Sequence, residues 1–165
     1  MFLSPHTDLV DLPLSTGISN PLFKESITKI GDVALCTEAD LFDVDQMGLK
    51  KISDLEAFLA RHDLRLRRDD EPFWKRAVEL YGSQEKVALW PILMHLFSWG
   101  SNPQDIRSDK MHVANQLKST ELYLIEDLLG ERWHERSELF KKLVGELRAE
   151  RLTGWLYGTG IYYWM

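Results

Sequence analysis

At 165 residues, 44% of them hydrophobic and 28% charged, the chain is long enough to bury a sizeable core and falls in the composition range of one or two small globular domains. Its 20 Lys+Arg against 26 Asp+Glu give a formal charge of −6, which excludes a generally basic, histone-like binder of nucleic acid. Any contact with DNA then needs a local basic patch on an acidic body.

The single cysteine, Cys36, cannot close an internal disulfide and suits a reducing compartment. The opening "MFLSPHTDLVDLPLS" carries Asp8 and Asp11 and no basic leader, and no apolar run approaches a membrane span, so a soluble cytoplasmic protein is expected. Residues Met1 to Ser19 mix Pro5, Pro13 and Gly17 with Leu9, Val10, Leu12 and Leu14. This reads as an extended arm, with little regular structure, that lays apolar residues onto a body.

Asn20-Pro21 reads as an N-cap followed by proline in the first helical turn, with Leu22, Phe23, Ser26, Ile27 and Ile30 keeping helical spacing as far as Gly31. Thr37, with Asp40 three residues on, reads as a capping box that starts a second, short helix with Leu41, Phe42 and Val44 as its apolar face. After Gly48 the apolar residues Ile52, Leu55, Phe58 and Leu59 recur at three- and four-residue steps, predicting an amphipathic helix to about Arg61. The charge run Arg65-Leu66-Arg67-Arg68-Asp69-Asp70-Glu71-Pro72 is the expected boundary between a first unit, 1–70, and a second, 71–165.

In the second unit, Phe73, Trp74, Ala77, Val78 and Tyr81 predict one helix and Val87 to Trp99 a strongly apolar one with Pro91 near its start. "GSNPQD" breaks the chain. Helical spacing resumes over Leu117 to Leu129 and over Leu139 to Leu147, and the aromatic-rich "GWLYGTGIYYWM" reads as a small β-hairpin. That order of helix, helix and hairpin is also the order of a winged helix-turn-helix, in which Arg136, Lys141, Lys142 and Arg148 would face DNA. Glu135, Glu138, Glu146 and Glu150 share the same helix, so a salt-bridged surface helix is the competing reading. Trp155, Tyr157, Tyr162, Tyr163 and Trp164 have no interleaved basic residues and point to protein contact rather than base stacking. The expected fold class is mainly α.

The chemistry concentrates at "QMGLKKISD", where two short helices are joined through Gly48 in the pattern of a helix-hairpin-helix. A helix N-terminus leaves backbone N–H groups unpaired and carries partial positive charge, so a phosphate oxygen can be held there with a lysine beside it. Glycine at the turn is expected for unusual torsions and for close approach of the phosphate. Lys50 and Lys51 sit where a cation opposes the helix dipole, and such a placement hints at an anionic partner. The competing reading is a helix-helix connection with no ligand.

The stretch from about Leu9 to Leu66 resembles the C-terminal domain of the bacterial RNA polymerase alpha subunit. The likeness is carried by Ile30-Gly31-Asp32-Val33, Thr37-Glu38, Leu41-Phe42, Met47-Gly48-Leu49-Lys50 and Asp63-Leu64-Arg65-Leu66. It implies a domain that binds the DNA minor groove in A+T-rich promoter elements and touches activators and sigma factor. It also implies a DNA-contacting asparagine at Asn20, the hairpin residues Gly48 and Leu49, a phosphate-contacting lysine at Lys50 and the family's glutamate position at Asp54. The family's phosphate-binding serine falls at Lys51 and its groove-inserted arginine at Gly17, which implies loss of much of the A+T preference and weak, sequence-tolerant backbone binding.

The five histidines, His6, His62, His95, His112 and His134, share no metal-ligand spacing with each other or with Cys36, and neither a metal nor a cofactor is expected. The acid pairs Asp43/Asp45 and Glu126/Asp127 have no base, nucleophile or glycine loop near them in sequence, so no enzyme is expected. Two functions follow as expectations. The first is a non-enzymatic DNA-associated accessory or regulatory protein, in transcription, that binds DNA backbone or minor groove. The second is a protein-interaction module, docking on polymerase, sigma factor or another partner, that keeps the fold without DNA.

Overall fold

The structure is a computed structural model, and it describes residues 3–97 and 122–128 together with positions 135, 138, 141 and 142. The chain is mainly helical, with seven α-helices among the described residues. It divides into two compact units, Met1–Arg76 and Ala77–Met165.

In the first unit the N-terminal segment is more regular than its sequence suggests. A 3-10 turn forms at Leu9–Asp11, and α1 runs over Thr16–Lys24. The arm is bound edge-on to the segment after α1: Leu9 N–H donates to the Thr28 carbonyl at 2.8 Å, Ile30 N–H to Thr7 at 2.9 Å and Gly31 N–H to Pro5 at 2.8 Å. Leu9 is buried, whereas its neighbour Val10 is 72% exposed, so only one of the two lies on the body.

The expected helix start at Asn20 is wrong by five residues, because the cap position is Ser15 and Pro21 lies inside α1. Proline has no N–H for the carbonyl four residues back, here that of Gly17, and the helix tolerates that loss near its middle. The helix also ends earlier than Gly31. Ser26 adopts φ 60°, with Ile27 N–H bonding to the Leu22 carbonyl and Ser26 N–H to that of Phe23, the double bond of a Schellman stop. A separate short helix, α2, spans Ile30–Ala34.

The capping box at Thr37 is present: Asp40 N–H donates to Thr37 Oγ1 at 3.1 Å and Thr37 N–H to Asp40 Oδ2 at 2.9 Å, starting α3 over Glu38–Phe42. Leu41 is buried, but Phe42 is 47% exposed. Successive helical side chains stand about 100° apart, and here Leu41 faces the body while Phe42 is turned toward solvent. After the turn, α4 spans Leu49–Arg61 and buries Ile52, Leu55, Phe58 and Leu59 along one face, against which α1 and α3 pack. Each such aliphatic or aromatic side chain contributes about 1.5–3 kcal/mol when removed from water. A second Schellman stop closes α4 at Asp63, φ 57°, where Leu64 N–H meets the Leu59 carbonyl at 2.9 Å.

The charge run after α4 is held, not free. Arg67 donates from its backbone N–H to Cys36 at 3.0 Å, from Nε to the Leu35 carbonyl at 2.9 Å and from a guanidinium nitrogen to the Glu71 carbonyl at 3.1 Å. Its guanidinium also stands 5.6 Å from the centre of the Phe73 ring. Arg65 pairs with both Glu71 oxygens and holds the Glu71 carboxyl down at about 2. Helix α5, Phe73–Tyr81, follows, and the seam between the units falls within it.

In the second unit α6 covers Leu89–Phe97, with Pro91 in its first turn where a missing N–H costs nothing. An antiparallel bridge, Ala88 with Leu124, brings the start of α6 to the start of α7, Ile125–Leu128. The Asp127 carboxylate caps α7 by accepting from Tyr123 N–H at 2.9 Å and Leu124 N–H at 2.8 Å. Val87, Leu89, Ile92, Leu122 and Ile125 are buried around this junction. The expected C-terminal hairpin lies outside the described residues, as does the winged-helix arrangement that depends on it; of the helix expected over Leu139 to Leu147, Lys141 and Lys142 are described and are helical.

Candidate phosphate-binding cleft

Helix α1 and the turn before α4 leave a cleft of about 520 Å³ between them. From α1 come Thr16, Gly17, Asn20, Pro21, Phe23 and Lys24, and from the other side Gln46 and Lys51. The α1 contribution is one helix face: Thr16, Asn20 and Lys24 are four residues apart, as are Gly17 and Pro21, and such residues stack above one another. Lys24 and Lys51 supply two ammonium groups, Asn20 and Gln46 two carboxamides and Thr16 a hydroxyl. No carboxylate lines the cleft, although the chain carries an acid excess of six.

Lys51 is fixed in place. Its Nζ donates to the Gln46 carbonyl at 2.9 Å, and Gln46 presents that carbonyl from a left-handed conformation with φ 66°. A Cβ at Gly17 would lie 3.8 Å from Lys51 Cε and 3.9 Å from Nζ, ordinary contact distances. The ammonium therefore lies against the spot from which a longer side chain at position 17 would project, and such a side chain would compete with it for the space.

Gly48 is the N-cap of α4, with φ −95° and ψ 176°, and no side chain caps the helix there. These are extended torsions open to any residue, so the torsional reason for a glycine is corrected: the left-handed residue of this turn is Gln46. What Gly48 does supply is room, since a Cβ there would meet nothing within 4 Å.

The residues singled out from sequence separate into two groups. Asn20 and Lys51 come together in the cleft, with Gly17 between them and Lys24 beside Asn20 on the same face. Gly48, Leu49, Lys50 and Asp54 are exposed on the first turns of α4 and do not line it, Leu49 being 70% exposed. Thr16, Phe23, Lys24 and Gln46 were not singled out. The signal for two of them, Thr16 and Lys24, was the four-residue repeat Thr16-Asn20-Lys24, hidden once Asn20 is taken as a cap rather than a mid-helix residue.

Two carboxyls outside the cleft are displaced from their ordinary range. Asp32 is fully buried, and burial pushes it from 3.8 to about 7 even though Thr28 and Lys29 N–H groups donate to its Oδ2 at 3.3 and 3.2 Å. Its Oδ1 is buried with no hydrogen-bond partner. A hydrogen bond shared with Glu38, aided by partial burial, raises Glu56 to about 6. Among the described residues no group of three His, Cys, Asp or Glu side chains is placed to hold a metal ion, and no helix is long and apolar enough to cross a membrane. No protein-family model matches the chain, and no solved structure matches it.

Proposed function

We propose that the first unit binds nucleic-acid phosphate, making the protein a non-enzymatic DNA-associated accessory factor in transcription. The observation that carries this reading is the carboxylate-free cleft with Lys24 and Lys51 on an otherwise acidic chain. Helix α3, the turn through Gly48 and α4 are read as the helix-hairpin-helix of the polymerase alpha C-terminal domain that residues 9–66 resemble. The uncapped first-turn amides of α4 and the exposed Lys50 add positive potential next to the turn. In this reading Lys51 provides, from the hairpin side, the cation that the family places at position 17. A lysine ammonium is compact and strongly hydrated, which suits phosphate oxygens and makes little use of base identity.

Few phosphates are neutralised, so binding is weak and falls with salt. Each phosphate contact contributes a slope of roughly −0.9 in log affinity against log salt. Anisotropy titrations of a labelled duplex at several salt concentrations test this. Lys51→Ala and Lys24→Ala should each flatten the slope by about one, while Lys75→Ala, at an exposed position of α5 outside the cleft, should leave it unchanged. Equal slopes for all four proteins would remove the cleft from the account.

A second reading is favoured by one specific observation: the apolar side chains Phe42 and Leu49, which flank the turn on α3 and α4, are 47% and 70% exposed. They would serve a protein-docking face for polymerase or sigma factor. Co-sedimentation with those purified proteins, comparing the wild type with Leu49→Asp, tests it, and unchanged co-sedimentation would discard that face.

A further inference from the structure

The cleft is much larger than the group the phosphate reading asks it to hold. A phosphate has the bulk of a few water molecules at roughly 30 Å³ each, whereas the cleft measures about 520 Å³, within the range of sites that hold a small organic ligand. Its remaining wall is chemically specific. Phe23 contributes a half-buried ring, Pro21 an apolar surface, and Asn20 and Gln46 contribute carboxamides that can give and take hydrogen bonds together. Ammonium for phosphate, an aromatic face for a base and carboxamides for its polar edge make the complement of a nucleotide.

Resting on the phosphate reading above, we propose that this cleft takes one unpaired nucleotide, with its phosphate at Lys24 and Lys51 and its base against Phe23. In a paired duplex the bases are stacked on one another, and bringing one to Phe23 requires unstacking it; a single strand offers its bases without that cost. The unit thus prefers single-stranded over fully paired nucleic acid, and the preference resides in Phe23 while the salt dependence resides in the lysines. The same chemistry fits a free nucleotide, so the two sources must be separated by experiment.

The test uses the full chain at low salt, with a labelled thymidine oligonucleotide of roughly ten residues and its fully paired duplex as probes. The single strand should bind about tenfold more tightly or better. Phe23→Leu, which keeps an apolar side chain and removes the ring, should weaken single-strand binding by about the same tenfold and so abolish that preference. Should Phe23→Leu fail to fold by circular dichroism, exposed Asn20→Ala is the substitute, with a larger loss on the single strand than on the duplex. Thymidine monophosphate, thymidine and inorganic phosphate serve as competitors. Displacement by the monophosphate alone assigns a free nucleotide, and displacement by none, with the strand preference intact, assigns the strand. Equal binding of strand and duplex, or displacement by inorganic phosphate as readily as by the monophosphate, overturns the proposal while the phosphate reading stands. No binding of either probe ends both.

Discussion

In the proposed function Lys51 serves a phosphate because its ammonium is held in place beside the cleft. The carbonyl that holds it belongs to Gln46, one of three non-glycine residues with left-handed torsions among the described residues, together with Ser26 and Asp63. Torsional strain of that kind costs of order 1 kcal/mol or more and persists where surrounding structure enforces it. Gly48 contributes differently, by leaving the first-turn amides of α4 uncovered. Its extended torsions fit serine, which is a good N-cap, so Gly48→Ser should raise stability to denaturant by a few tenths of a kcal/mol. The same hydroxyl occupies an amide that phosphate would use, and duplex affinity should fall several-fold; an undiminished affinity would show that those amides take no part. Asp32 is a stability residue. Its folded carboxyl titrates near 7 against 3.8 when unfolded, so the folded state holds a proton that the unfolded chain has released. Stability contributed in this way is complete below about pH 4 and lost as pH rises through 7. Urea midpoints should show Asp32→Asn losing most of that decline, with a smaller fall left by Glu56 up to about 6 and the opposite contribution of Glu71 confined to pH below 4.5.

At the scale of the element, α1 and α4 both stop by placing a residue with a side chain in the left-handed region, at Ser26 and Asp63. Glycine takes that conformation with no Cβ penalty. Asp63→Gly, which also removes a negative charge from the C-terminal end of α4, should stabilise the protein by about 0.5–1 kcal/mol in a denaturant titration, and a loss of stability would mean that Asp63 has a partner the stop depends on. These stops also show what the sequence could and could not convey. The Thr37 capping box and the apolar face of α4 were legible because each is decided within a few neighbouring residues. The end of α1 was not, because Ser26 carries no glycine-like signature and the run of apolar residues continues through Ile27 and Ile30 past the stop. Its beginning was misplaced because Asn20-Pro21 has the composition of a helix start. The cleft was half legible: Asn20 and Lys51 stood out singly, but their meeting depends on packing α1 against residues more than twenty positions away.

For the molecule as a whole, an acid excess of six repels a polyanion at long range, and the lysines of the cleft attract it only within about a Debye length, near 10 Å at 0.1 M salt. Binding should therefore be local, slow to build up as salt is lowered, and sensitive to the few residues that face the ligand. In the proposed function those residues are in the cleft between α1 and the start of α4. A nitrogen-15 chemical-shift titration of the full chain with a short duplex at low salt tests it most directly. The expected result is that the largest perturbations fall on Thr16, Asn20, Lys24, Gln46 and Lys51, with smaller ones on Leu49 and Lys50. Perturbations centred on the second unit instead, with the cleft amides unmoved at saturating duplex, would contradict it.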